Sequence, residues 1–425
     1  MHFEALEDWL RWQESLHPKT IDLGLERVAR VYKALNPEQL KPTTIIVAGT
    51  NGKGSCIAFL EAVYAAAGYR VGSYTSPHIL KYNERIKIAG ESVTNEAICE
   101  AFTRIEAVRG DISLSYFEFG TLAALDIFWR SNLDIQLLEV GLGGRLDAVN
   151  IIDADVAIVS TICIDHADWL GETRAAIGKE KAGIFRAGVP AVIGDPEPPN
   201  SLLTSAIEKQ AIIYAFGQAF NYRKISTGWD WYQNEQIKLS NLPKPMLKGE
   251  QQYRNASTAM MAVMLMHDEL PVPAAAFGKG LLSTHLTGRF QLIKDKVPVL
   301  LDVAHNPQAV RMLVANLEQN FPNKRIHAVF AMMKDKDIRG VVEIMQPYIV
   351  AWYIAPLKHA RIAEELVMQT VFQEAAIANV NFGFADYNEA FQAAQANAGQ
   401  NDLILVFGSF FLVSAYLAKR NEDYN

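Results

Sequence analysis

The sequence predicts an α/β protein built in two parts, and three observations carry that prediction. A β-branched strand runs straight into a glycine-rich loop in Thr44-Ile45-Ile46-Val47-Ala48-Gly49-Thr50-Asn51-Gly52-Lys53-Gly54-Ser55. Apolar strand-like runs follow at helix-sized intervals, and a second alternation of strands and helices begins beyond a linker near Thr284-His285-Leu286-Thr287-Gly288. At 425 residues the chain exceeds one ordinary core, which suggests two or three domains at roughly 150 residues each.

Each element has a local reason. Ser55–Ala67 contains good helix formers with no Gly or Pro, and Gly68 stands where a left-handed cap would end the helix. Tyr69–Ser76 reads as a short strand stopped by Pro77, as a βαβ crossover requires. The runs Ile135–Val140, Val156–Thr161 and Val189–Ile193 are apolar enough for a parallel sheet covered on both faces, so the first domain reads as doubly wound and mostly parallel. From Asn221 to Pro245 the pattern turns polar and aromatic (Trp229, Trp231, Tyr232), predicting a small antiparallel flap, and a Met- and Ala-rich helix follows near Asn255–Asp268. Val297–Val303, Ile326–Phe330, Trp352–Ile354 and Leu403–Phe407 are strand candidates of a smaller, Rossmann-like α/β domain. The expected domains are 1–286 and 287–425.

Composition narrows the function. Half of the residues are hydrophobic, a fifth are charged, and no apolar run approaches the ~18 residues of a membrane span. A net charge of −7 argues against a broad nucleic-acid surface and leaves small molecules as the expected partners. Cys56, Cys99 and Cys163 form no disulfide or zinc pattern, and the acidic amphipathic start lacks the features of a secretion signal, so a reducing cytoplasm is expected.

The glycine loop is built to hold a polyphosphate: its N–H groups can turn inward, Lys53 adds a charge, and the following helix contributes its positive end. Glu139 closes a buried strand, so its carboxylate should emerge at the sheet edge where the loop opens. Gly141, Gly143 and Gly144 follow it and suggest backbone close to a ligand. Asp165-His166 ends the next strand, expected to adjoin that of Glu139, and the helix beyond carries Lys179-Glu180-Lys181. Taken singly, such a histidine is more often structural and such a lysine more often solvated.

Together these segments resemble the folylpolyglutamate synthase and dihydrofolate synthase family, which is related to the Mur ligases. The Gly49, Thr50, Asn51, Gly52, Lys53, Gly54, Ser55 loop differs from the commonest P-loop in that Gly54 separates Lys53 from Ser55. Gly288-Arg289-Phe290, Asp302-Val303-Ala304-His305-Asn306-Pro307, Lys334-Asp335-Lys336-Asp337 and Phe407-Gly408-Ser409-Phe410 extend the resemblance over nearly the whole chain.

The resemblance implies a bifunctional ATP-dependent amide ligase that adds L-glutamate to dihydropteroate and to the glutamate tail of reduced folates through an acyl phosphate. It implies two magnesium ions held by Ser76, Glu139, His166 and Lys181, the lysine being carbamylated, with Lys53, Glu139, His166 and Lys181 as the catalytic set. Asn255, Arg289, Asp302 and His305 would join the loop in holding ATP, with the second domain closing over the first; alone, His305 reads equally as a cap for the helix after Pro307. The segments Lys19–Arg27, with Asp22, Leu23, Gly24 and Leu25, and Ser113–Thr121, with Ser115, Tyr116, Phe117 and Glu118, would join Leu146, Asp147 and Ala148 in receiving the pterin, aromatics there stacking on the flat ring; taken alone, Tyr116, Phe117 and Phe119 are more often core. Val149 stands where the family carries a small hydroxyl residue, so a substrate hydrogen bond is expected to be missing. The chain is expected to act as a monomer, without nucleic acid or membrane.

Four alternatives remain at this point. A folylpolyglutamate synthase without the first activity fits the same motifs. A Mur-type amino-acid ligase carries a nucleotide-sugar domain ahead of its loop, whereas 48 residues precede Gly49 here. A regulatory P-loop ATPase would hydrolyse ATP without glutamate, and a pterin-binding scaffold with a decayed nucleotide site would not be expected to keep loop, acid, histidine and lysine together.

Overall fold

Alternating apolar runs and amphipathic stretches leave backbone groups that only a covered sheet can satisfy, and the computed structural model shows two such sheets. It describes residues 3–19, 21–38 and 41–424; Met1 and His2 of the amphipathic start and Thr20 of the first pterin segment lie outside them. One compact unit comprises Met1–Met246 with Gln252–Thr284, the other Leu247–Gln251 with His285–Asn425.

In the first unit the strands are β1 (Thr43–Ala48), β2 (Val71–Tyr74), β3 (Ile86–Ile88), β4 (Glu91–Ser92), β5 (Ile135–Glu139), β6 (Val156–Val159), β7 (Pro190–Ile193) and β8 (Ile212–Ala215). They form one 8-stranded sheet in the order β4-β3-β2-β5-β1-β6-β7-β8. Every pair is parallel except β2–β3 and β3–β4. A 3-stranded antiparallel flap follows, made of β9 (Phe220–Lys224), β10 (Trp229–Gln233) and β11 (Gln236–Leu242). Trp229 and Trp231 are its fully buried side, and Trp231 Nε1 donates to Ser257 Oγ at 2.9 Å on the helix Glu250–Leu265.

The sheet order corrects one expectation. The strands leading to Glu139 and to His166 do not adjoin; β1 lies between them, pairing Val47 with Glu139 on one side and Ala48 with Val159 on the other. β1 is buried along Thr44–Ala48, as a strand with neighbours on both sides and helices on both faces must be. Its loop therefore opens between the two tips.

The helices Leu6–Leu16 and Glu26–Leu35 pack on the helices Asn95–Arg109 and Tyr116–Trp129. Trp9 is fully buried there, its ring 5.8 Å from Phe102 and 6.4 Å from Phe119. Phe119 is itself fully buried, so it is core rather than a stacking surface; Tyr116 and Phe117 stay partly exposed. A capping box starts this helix: Ser115 Oγ accepts from the Glu118 N–H at 3.3 Å, and Glu118 Oε2 accepts from the Ser115 N–H at 2.7 Å.

The second unit holds β12 (Gln291–Ile293), β13 (Val299–Asp302), β14 (Ile326–Phe330), β15 (Ile349–Ile354), β16 (Val380–Asn381) and β17 (Leu403–Phe407) in a 6-stranded sheet ordered β12-β13-β17-β14-β15-β16. Only β12 runs antiparallel to its neighbour. Asp302, at the tip of β13, sits where open α/β sheets present ligand-binding loops.

Candidate functional site

The loop between β1 and the helix Lys53–Ala66 is pinned almost wholly by backbone and hydroxyl groups. Thr50 N–H donates to Thr161 O at 2.6 Å, and Thr50 Oγ1 donates to Cys163 O at 3.1 Å. Ser160 Oγ and Thr161 Oγ1 donate to Asn51 O at 2.7 and 2.9 Å. Gly49 has φ +147°, and a methyl group there would meet Ser160 Oγ at 1.9 Å. Gly52, at φ +92°, caps the helix with a left-handed turn, and a methyl there would lie 2.7 Å from Asn255 Oδ1. Asn255 is thus placed beside the loop as expected, buried, with its amide on Gln252 Oε1 at 3.1 Å.

The helix begins at Lys53, earlier than the predicted Ser55, so Lys53 and Gly54 belong to its first turn with buried Ser55. First-turn N–H groups lack intrahelical partners and carry the positive end of the helix dipole, which suits phosphate oxygens. Lys53 Nζ folds back onto the carbonyls of Gly49 and Thr50 at 3.1 and 3.3 Å. An ammonium held there stands over the mouth of the loop.

Glu139 is 5% exposed, and its Oε2 accepts from the Ser76 N–H at 3.3 Å, which joins two of the expected metal-holding residues. His166 follows β6 with φ +53° at the start of a short helix, its N–H on Asp165 Oδ1 at 2.9 Å. Lys181 is 3% exposed, and burial together with the charge of Lys53 pulls its pKa down to about 7. Its field also includes Cys163, Asp165 and Asp147. A hard carboxylate and a hydroxyl beside a phosphate-binding loop fit magnesium, which keeps waters and substrate oxygens among its ligands. Among the described residues, no group of three or more His, Cys, Asp or Glu gathers into a metal site, as that mode of binding allows.

The glycines after Glu139 have a different cause from the one expected. A methyl on Gly141 would strike the Phe117 ring at 2.5 Å, and one on Gly144 would lie 2.9 Å from Glu180 O and 3.1 Å from Lys181 Cα. Gly143 has φ +69°. The close approach is to protein: it lays this loop on the helix that carries Lys181.

Asp147 is spent on that same loop. Its Oδ2 accepts from Leu142 N–H at 2.8 Å and its Oδ1 from Val149 N–H at 3.0 Å, and burial raises its pKa to about 6 despite those bonds and the Lys53 charge. Ala148 is buried beside it, and Leu146 is half-buried. Val149 is fully buried in the apolar core, so the expected loss of a substrate hydrogen bond at this position does not follow.

The two N-terminal pterin segments, far apart in sequence, do meet. Asp22 Oδ2 receives Arg27 Nη1 at 2.7 Å and faces His17 Nε2 at 3.1 Å, while Arg27 Nη2 reaches Glu118 Oε1 at 3.1 Å. Leu23, Gly24 and Leu25 are half-buried alongside. Arg27 closes the first of these segments without a role of its own in the sequence reading, and His17 lies outside both, its only signal being nearness to Asp22 in the chain.

In the second unit, Asp302 is held by the N–H groups of Phe290 and Ala304 at 2.9 and 2.8 Å, and burial raises its pKa against the pull of Arg289. The Arg289 guanidinium lies 5.1 Å from the Phe410 ring centroid. His305 is not the helix cap: Asn306 Oδ1 accepts from Ala309 N–H at 2.9 Å, and His305 Nδ1 donates to Val303 O at 2.8 Å. The shorter Asn side chain reaches the first-turn amide, which turns the imidazole back onto the strand tip.

Residues 288–410 match the family described as Mur ligase, glutamate ligase domain. The chain is 43% identical over 412 residues to the dihydrofolate synthase/folylpolyglutamate synthase of Escherichia coli (strain K12), covering 96% of this chain and 94% of that protein. Its structure resembles that of E. coli FolC in complex with DHPP and ADP, with a TM-score of 0.93, 41% identity and 99% of each chain covered. It also resembles a bifunctional folylpolyglutamate synthase/dihydrofolate synthase with Mn, AMPPNP and L-glutamate bound, with a TM-score of 0.90, 42% identity and 98% of each chain covered.

Proposed function

The chain belongs to the dihydrofolate synthase/folylpolyglutamate synthase family, and from that premise we propose that it is an ATP-dependent ligase joining L-glutamate to dihydropteroate and to the glutamate tail of reduced folates. The observation that carries this reading is the Gly49–Ser55 loop opening between the tips of β5 and β6, with buried Glu139 on one side.

A carboxylate is a poor electrophile, so it must be activated. The acceptor carboxylate attacks the γ-phosphorus of ATP, the bond to the β–γ bridging oxygen breaks, and ADP leaves with that electron pair. The glutamate amine then attacks the acyl carbon, phosphate departs, and the amine gives up a proton as the amide forms. Lys53 and the first-turn N–H groups offset charge on the transferring group, and the loop holds it in line with the attacking oxygen. Magnesium, when bound, neutralises triphosphate charge. Ser76, Glu139, His166 and Lys181 are proposed to hold two such ions, and Arg289, Asp302 and His305 to bind the nucleotide.

Carbamylation of Lys181 belongs to the same reading. Only a neutral amine attacks carbon dioxide, and an ordinary lysine is almost wholly protonated at neutral pH; a pKa near 7 leaves a usable neutral fraction. The amine forms the N–C bond and loses a proton, replacing a cation with an anionic oxygen donor. A carbamate resonance in the wild type treated with ¹³C-bicarbonate, absent in Lys181→Arg, is the expected result; activity should fall by about 10–100-fold in the variant. Action in the cytoplasm as a monomer, apart from nucleic acid, completes the proposal, and no helix among the described residues is long and apolar enough to cross a membrane.

The test is one assay of the purified protein with ATP, magnesium and labelled glutamate, offered dihydropteroate in one tube and tetrahydrofolate in another. Phosphate release that needs both glutamate and an acceptor is expected in each. Full-rate release without glutamate would overturn the ligase reading in favour of a plain ATPase.

A further inference from the structure

The segment ahead of the helix Glu26–Leu35 has no regular structure around Asp22, yet its carboxylate is surrounded. Arg27 Nη1 lies 2.7 Å from Asp22 Oδ2, and Nη2 donates both to Asp22 O at 2.9 Å and to Glu118 Oε1 at 3.1 Å. His17 spans the same gap from the other side, Nε2 at 3.1 Å from Asp22 Oδ2 and Nδ1 at 2.9 Å from Ser113 Oγ. Lys19 reaches Asp22 Oδ1 at 3.4 Å from solvent. Glu118 is anchored in turn by the capping box, and its side chain is 4% exposed against 22% for Asp22 and 29% for Arg27.

One guanidinium therefore fixes the loop by its backbone and by its carboxylate, and ties both to a helix start 91 residues away. A planar fork can do this, whereas a lysine ammonium offers a point charge without the two-sided geometry. None of these bonds involves a residue of the Gly49–Ser55 loop.

We propose that Arg27 and His17 are positioning residues for the acceptor, setting Asp22 and the adjoining Leu23–Leu25 segment against Ser115–Glu118 so that the flat pterin end meets a preformed surface. This rests on the ligase reading above. Binding gains from such preorganisation because the loop is ordered before the substrate arrives.

The experiment is steady-state kinetics of the full chain, wild type against Arg27→Lys and His17→Gln, with dihydropteroate, ATP and glutamate varied in turn and thermal unfolding recorded for each protein. Arg27→Lys should raise KM for dihydropteroate about tenfold and His17→Gln about threefold, since the first loses a two-sided guanidinium fork and the second only the imidazole contacts to Asp22 and Ser113. KM for ATP should stay within about twofold in both, a split that general loosening of the fold would not produce. An unchanged acceptor KM in a folded variant, or acceptor and ATP KM rising together, overturns the positioning role while leaving the ligase reading intact. If Arg27→Lys does not fold, His17→Gln decides by the same criteria. Wild-type protein without acceptor-dependent turnover overturns the ligase reading and this proposal with it.

Discussion

The phosphate loop and the segment around Asp22 are both irregular stretches proposed to hold a substrate, but they are fixed by different forces. Gly49–Ser55 hangs from a central strand and is pinned by neutral bonds from Ser160, Thr161 and Cys163 on the next loop. The segment around Asp22 is held by charged side chains, Arg27 and Glu118 above all. The first arrangement is steric and local to one sheet edge, so it should tolerate pH and fail on added volume. The second is electrostatic and long-range, so it should tolerate volume and fail on charge.

Four substitutions would break or sharpen that contrast. The largest effect is expected at Lys53: Lys53→Ala should lower kcat by about 10³-fold or more with the unfolding temperature nearly unchanged, as removal of a cation from a transferring phosphoryl group does. Near wild-type kcat would remove Lys53 from the chemistry. Gly49→Ala places a methyl 1.9 Å from Ser160 Oγ, at a φ that side chains avoid, and should weaken ATP binding about a hundredfold by titration calorimetry. Wild-type affinity would show that the loop is not sterically set.

The third concerns pH. Burial alone would raise the Asp22 carboxyl, but the His17 hydrogen bond and the Arg27 charge outweigh it and hold the pKa below 3.8. A folded-state pKa below the unfolded one contributes stability that is present above about pH 3.8 and is lost as pH falls through the folded value. The unfolding-temperature gap between wild type and Asp22→Asn should accordingly shrink as pH falls below about 4. A gap that widens in acid would contradict the network. The smallest effect belongs to Gly24→Ala, where a methyl meets nothing within 4 Å and φ is ordinary. It should leave the unfolding temperature unchanged or raise stability by about 0.4–1 kcal/mol through the unfolded chain; a clear loss would mean that the segment is sterically crowded after all.

The same contrast explains what the sequence disclosed. The phosphate loop, its strand and its helix are local patterns, and so were legible down to Gly52 and Lys53. Leu403–Phe407 matches its strand to the residue, because an unbroken apolar run admits one placement in a covered sheet, and Ile326–Phe330 does so with a single histidine inside its run. The hairpin of β3 and β4 went unread because strands of two or three residues carry no period. Strand order was invisible for another reason: nothing in either apolar run says that β1 will part β5 from β6. The glycines at 141 and 144 misled because tight packing on Phe117 and on the Glu180–Lys181 backbone writes the same residue as tight packing on a ligand, and Gly143 because a left-handed turn does so too. The role of Arg27 and the presence of His17 escaped because a bond between residues 91 or 96 apart leaves no local mark.

In the proposed reaction the acceptor carboxylate is activated by the phosphoryl group seated at Lys53. Dihydropteroate labelled with ¹⁸O in its carboxylate, turned over with ATP and glutamate, tests it most directly. One ¹⁸O should appear in each inorganic phosphate released, since the acyl phosphate breaks at the carbonyl carbon; phosphate without label, formed at the same rate as the amide, would contradict the account.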